Sequence, residues 1–365
     1  MDKLTCQQLS AKLEEIQQLF RTININAPNI SNLLDLSENL KVEAEKLEDL
    51  IVPFNYGLRQ RLAKKIGVKY LSDFHESLAK AFDGEKWFYI NQEGINIFPT
   101  LDFDEAGNFS GGYAKVKKTK KYSILDKKGQ KHLINNTSAS DIGEFNEGKS
   151  WWLNGLGAKY FIGEVDGKPQ IIFRNHEPRG DGSFKNGIAI ATKIPGSPQV
   201  GVYFINKEGE KIINETFHQA WNFDGEKALV NNFVSGKYIY YFIDKQGNKT
   251  EIPNLKNHII KSFSKNGIAS EKKLPSGERI FYFTDSEGKI IRQRADIKFL
   301  MPSRTNTLII HKDDGECQIT DIKGLQCVPG IFISAKDMGD GVFKVTKKDG
   351  EQAYIDIYGQ EIFKN

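Results

Sequence analysis

What most constrains this chain is a turn that returns. Residues 201–213 read as two short strands joined by Asn206-Lys207-Glu208-Gly209. Asn206 opens a type I turn, Lys207 and Glu208 suit its centre, and Gly209 supplies the positive φ needed where the turn passes into a G1 bulge. The same chemistry recurs at 91–94, 126–129, 244–247, 285–288, 321–324 and 356–359, with a shortened Asp166-Gly167 turn standing in for one copy. The turn glycines, at 94, 129, 167, 209, 247, 288, 324 and 359, lie 35, 38, 42, 38, 41, 36 and 35 residues apart. That period marks a repeat array.

A second element repeats in phase with the first. Phe184-Lys185-Asn186-Gly187-Ile188-Ala189-Ile190 is echoed at 109–116, 145–152, 223–230 and 263–269, and at 338–345 with Met338 in place of the phenylalanine. Each copy is a turn followed by an alternating strand, so a unit holds three or four strands. One such unit cannot bury its apolar face alone, and neighbours must stack or close on themselves. The expected fold is an all-β repeat domain, a β-propeller of seven or eight blades, with an open β-repeat array as the alternative. Closure is favoured by the ends. From Gly84 of Phe82-Asp83-Gly84-Glu85-Lys86 to Gly94 is ten residues, whereas from Gly225 of the matching Phe223-Asp224-Gly225-Glu226-Lys227 to Gly247 is twenty-two. The last unit stops at Phe363, so two incomplete units are expected to complement each other.

The order Phe-x-x-Gly-(Ile/Leu)-Ala-x-x, then aromatic-x-Ile-Asp-x-x-Gly-x-x-Ile, resembles the bacterial WG (KWG) repeat over about 82–363, most visibly at 184–213 and 223–252. Val202-Tyr203, Tyr240-Tyr241 and Phe281-Tyr282 stand where the family carries Trp-Gly. The resemblance implies an interaction repeat without enzymatic activity.

Residues 1–80 have a different texture and are expected to form an α-helical domain ahead of the repeat domain at 82–365. Leu9, Leu13, Ile16 and Phe20, and then Leu36, Leu40, Ala44 and Leu47, fall at helical spacing, which predicts amphipathic helices at 3–21 and 31–51. These would pack within the chain, dock on the repeats, or form a homodimer. Residues 1–55 hold five Lys/Arg against nine Asp/Glu, while 56–80 hold six against two. The basic stretch with Arg59, Arg61, Lys64, Lys65 and Lys69 resembles a helix-turn-helix about Gly67 and is the candidate nucleic-acid contact. Ser72, Asp73, His75 and Glu76 on the second helix would place acids against phosphates, which argues for packing instead.

The net charge of +4 lacks the footprint of a dedicated nucleic-acid binder. Cys6, Cys317 and Cys327 are too few for a disulfide framework or zinc site. The first eight residues have neither a basic nor an apolar leader pattern and no run is long enough to span a bilayer, so a cytoplasmic protein is expected, export by a signal-less route aside. The six histidines, His75, His132, His176, His218, His258 and His311, are well separated; no metal site, cofactor or catalytic group is expected. Rule-breaking concentrates in the third unit, with Trp151-Trp152, the short turn, and a polar loop at 174–182. The candidate binding residues are Trp151, Trp152, Arg174, His176, Arg179 and Trp221. The function expected is a protein-interaction scaffold; the alternatives are a nucleic-acid adaptor acting through 59–69 and a glycan-binding or glycan-cleaving propeller.

Overall fold

Each recurring turn folds as its residues require. Asn206 Oδ1 accepts the Glu208 and Glu210 amides at 3.1 and 2.8 Å, the Gly209 amide reaches Asn206 O at 3.1 Å, and Gly209 has φ +84°. Asp126, Asp244, Asp285, Asp321 and Asp356 close their turns in the same way. The second repeated element is a two-residue hairpin turn: Lys185 bridges Ile188, and Asn186 and Gly187 both have positive φ, at 51° and 77°. Such a turn matches the right-handed twist of its strands.

These turns organise eight antiparallel sheets of three or four strands in the computed structural model, which describes residues 59–135, 137, 139–193, 201–303 and 307–362. Strand neighbours are sequence neighbours throughout, so each sheet is a local meander and no strand is exchanged between sheets. Numbered along the chain, the sheets span residues 70–90, 105–132, 141–171, 176–205, 219–251, 259–294, 297–321 and 334–362. They are the blades of an eight-bladed β-propeller.

The core lies in the seams between blades. One apolar cluster joins each successive pair: Tyr89 with Phe109, Tyr113 with Ile162, Phe161 with Phe184, Phe204 with Phe223, Tyr240 with Ile268, Phe283 with Ile310, and Ile319 with Phe343. The eighth cluster, Tyr70 with Val342 and Ile362, joins the last blade to the first and closes the ring. The Tyr70 ring lies tilted at 5.8 Å from that of Tyr354, and its hydroxyl donates to Met338 O at 3.3 Å. The open array is thereby excluded.

The first blade is not truncated and begins at Tyr70, ahead of the expected boundary at 82. Phe74-His75-Glu76-Ser77-Leu78 is its first hairpin turn, with φ +53° at Glu76 and +69° at Ser77. Residues 82–86 instead join the second and third strands, so the terminal blades complement each other by packing and not by sharing strands. Before this blade, residues 59–66 are helical; after Gly67 the chain enters the strand Tyr70–Leu71, so the second helix of a helix-turn-helix is absent. The helices expected at 3–21 and 31–51 lie outside the described residues.

Candidate functional site

The two tryptophans of the third blade part company, as adjacent strand residues must. On the strand Lys149–Leu153, Trp152 is 4% exposed and packs with Tyr113, Phe145 and Ile162. It is core, which corrects its nomination as a binding residue. Trp151 points across to the fourth blade. Its Nε1 donates to Asp181 O at 2.7 Å, and Lys159 Nζ lies 4.0 Å from the ring centroid. A Cβ at Gly143 or Gly182 would collide with the indole, so both glycines are needed for this approach. Burial pushes the Lys159 ammonium below its ordinary pKa.

Asp181 is the knot of the loop that Trp151 holds. Its Oδ1 accepts from the Ser183 amide at 3.0 Å and from Asn222 Nδ2 at 2.7 Å, while Oδ2 pairs with Lys185 at 3.4 Å. Desolvation raises its pKa, but Lys185 and these donors outweigh that and hold the carboxyl below its usual range. Blades three, four and five are thus tied at one residue. Arg179, at the start of the loop, stays exposed beside Glu177 at 3.4 Å.

Between the fourth and fifth blades this loop borders a groove of about 900 Å³, whose lining includes Arg179, Thr192, His218, Gln219, Trp221 and Phe233. A second cavity of about 640 Å³ shares Gly180, Ile190, Ala220 and Trp221 with it and continues to Asp224, Lys261 and Pro302. Its lining comes from four successive blades, which places it at the ring axis. At the edge of the first groove, the hairpin of Ala228–Val234 and Lys237–Ile243 turns at Ser235-Gly236 and leaves Phe233 and Val234 53% and 50% exposed. His218 lies 5.9 Å from the Phe233 ring and 5.4 Å from Tyr238.

Of the residues nominated from sequence, Arg179 and Trp221 line the groove together, while Trp151 lines neither cavity and holds the Asp181 loop from the third blade. Arg174 is exposed on the connection into the fourth blade and lines neither cavity. His176 faces Tyr203, with Nδ1 2.8 Å from the hydroxyl, and burial lowers its pKa. In the basic segment, Arg59 is 3% exposed and paired with Asp73 at 3.2 Å, a packing role that corrects its nomination as a nucleic-acid contact; Arg61, Lys64, Lys65 and Lys69 are exposed. The histidines remain apart, and among the described residues no three His, Cys, Asp or Glu side chains gather as a metal site. His218, Phe233 and Val234 were missed. The signal for Phe233 and Val234 was an apolar pair set directly before the turn at Ser235-Gly236.

Among solved structures, a crystal structure described as the eukaryotic initiation factor is 9% identical, with 81% of this chain and 87% of that chain covered and a TM-score of 0.43. The WD40 beta propeller domain of Doa1 is 10% identical, covering 79% and 96%, with a TM-score of 0.36. The beta-propeller domain of Myceliophteria thermophila Cps50 (Swd1) is also 10% identical, covering 69% and 96%, with a TM-score of 0.34. No curated protein matches the chain. A WG containing repeat is present at residues 87–122, from the third strand of the first blade to the third strand of the second.

Proposed function

We propose that this chain is a non-enzymatic interaction scaffold that receives a partner protein in the groove between its fourth and fifth blades. The observation that carries this reading is the placement of Phe233 and Val234, half exposed at a hairpin tip, beside a groove lined by Trp221 and Arg179. Large apolar side chains at a tip contribute little to the fold, whereas aromatic and arginine residues around a concave surface are the chemistry of binding hot spots. The knot at Asp181 fixes one wall of the groove before any partner arrives, which lowers the entropic cost of binding.

Affinity capture from the native organism tests this with the full chain and a Phe233→Asp/Val234→Asp variant. A protein recovered by the wild type and lost from the variant, at unchanged thermal stability, supports the reading. Equal recovery by both overturns it.

A further inference from the structure

The helix at 59–66 has two faces of opposite character. Ala63, Leu62 and Ile66 pack against the first blade. Arg61, Lys64 and Lys65 face outward, followed by Lys69, and all four are exposed with no ion pair among the described residues. Several lysines elsewhere on the ring are matched, as Lys86 is with Asp104, Lys127 with Glu76 and Lys207 with Glu147. Lys69 lies beside Asp83, so Arg61, Lys64 and Lys65 make the uncompensated part of this face.

We propose that this face docks the acidic segment 35–49 of the same chain. That segment carries Asp35, Glu38, Glu43, Glu45, Glu48 and Asp49 against Lys41 and Lys46. Residues 50–58 tether it directly to the helix and reach about 30 Å when extended. Tethering gives an effective concentration on the order of millimolar, so individually weak surface ion pairs suffice. A nucleic-acid strand fits less well. The 83–86 turn, with exposed Asp83 and Glu85, flanks Lys69, and the 91–95 turn, with exposed Glu93, packs on Leu62 and Ile66. These acids would repel phosphates, whereas a segment of acids interspersed with Lys41 and Lys46 answers both signs.

Zero-length carbodiimide cross-linking of the full chain, with light and heavy isotope-labelled copies mixed, tests this. The expected result is cross-links from Lys64, Lys65 or Lys69 to acids of 35–49 within one isotopic copy, falling steeply as salt rises from physiological strength to about 1 M. Lys64→Glu/Lys65→Glu should abolish them, and adding Glu45→Lys/Glu48→Lys should restore pairing between the same segments. Mixed-isotope pairs making up about half of these cross-links, their absence, their persistence in the charge-reversed variant, or low-salt retention of a DNA duplex without these cross-links would each overturn the proposal.

Discussion

At the scale of single residues, the ring is held by side chains that reach from one blade to the next. Glu147 accepts the Gly187 amide at 3.0 Å and pairs with Lys207 at 2.9 Å, so an acid of the third blade satisfies groups of the fourth. Glu76 does the same for the second blade through the Gly111 and Gly112 amides and Lys127. His258 is a different case. It is 2% exposed, with Nδ1 3.0 Å from Ser270 Oγ, and burial, with a smaller contribution from Lys272, lowers its pKa from 6.5 to about 4. The folded state therefore favours the neutral ring. Its contribution to stability is full above pH 6.5 and is lost as pH falls towards 4, a change on the order of 3 kcal/mol. Denaturant unfolding of wild type and His258→Asn across this window should show the variant losing less stability on acidification; parallel curves would contradict the assignment.

At the scale of elements, the turn glycines do more than permit a bend. A Cβ on Gly209 would strike the Phe173 ring of the preceding blade, and one on Gly129 would meet Phe98. Gly236, with φ +79°, has open space around it. Gly236→Ala should therefore cost about 1–2 kcal/mol from backbone strain alone, and Gly209→Ala a further 1–3 kcal/mol, roughly, from overpacking. Equal melting-temperature losses for the two would contradict a seam role for Gly209. This regularity is why the blades were legible in the sequence: turn chemistry is local, and Asn206-Lys207-Glu208-Gly209 specifies its hairpin without help from distant residues. The exceptions have local causes too. The first hairpin of the first blade was overlooked because Ser77 occupies the second positive-φ position, where glycine marks other copies. The Phe82–Lys86 resemblance misled because similar turn chemistry serves a different pair of strands there. The groove and its bordering loop were legible only in part, through Trp151, Arg179 and Trp221. The ties of Trp151 and Asn222 to Asp181, and the meeting of Arg179 and Trp221 in the groove, are tertiary facts that join three blades.

At the scale of the whole molecule, seven seams are joined by a covalent connection and one is not. At most of the connected seams, a residue in or after the outer strands of one blade packs on the turn glycine of the next, as Ile213 does on Gly247 and Ile252 on Gly288. Between the eighth and first blades no such connection exists, and Leu62 and Ile66 of the helix take that place against Gly94. Gln60 Nε2 reaches Glu361 O on the final strand at 3.4 Å, and His75 meets Asp340 at 3.0 Å across the same seam. The helix thus packs over the one seam without a covalent connection, beside the apolar cluster that closes the ring. The most direct test is methyl–aromatic NOE spectroscopy of the full chain with labelled Val and Ile methyls. The account predicts cross-peaks from the Tyr70 ring to the Val342 and Ile362 methyls, removed by Tyr70→Ala; a Tyr70 ring with no NOE to either residue, in a folded protein, would contradict a closed ring.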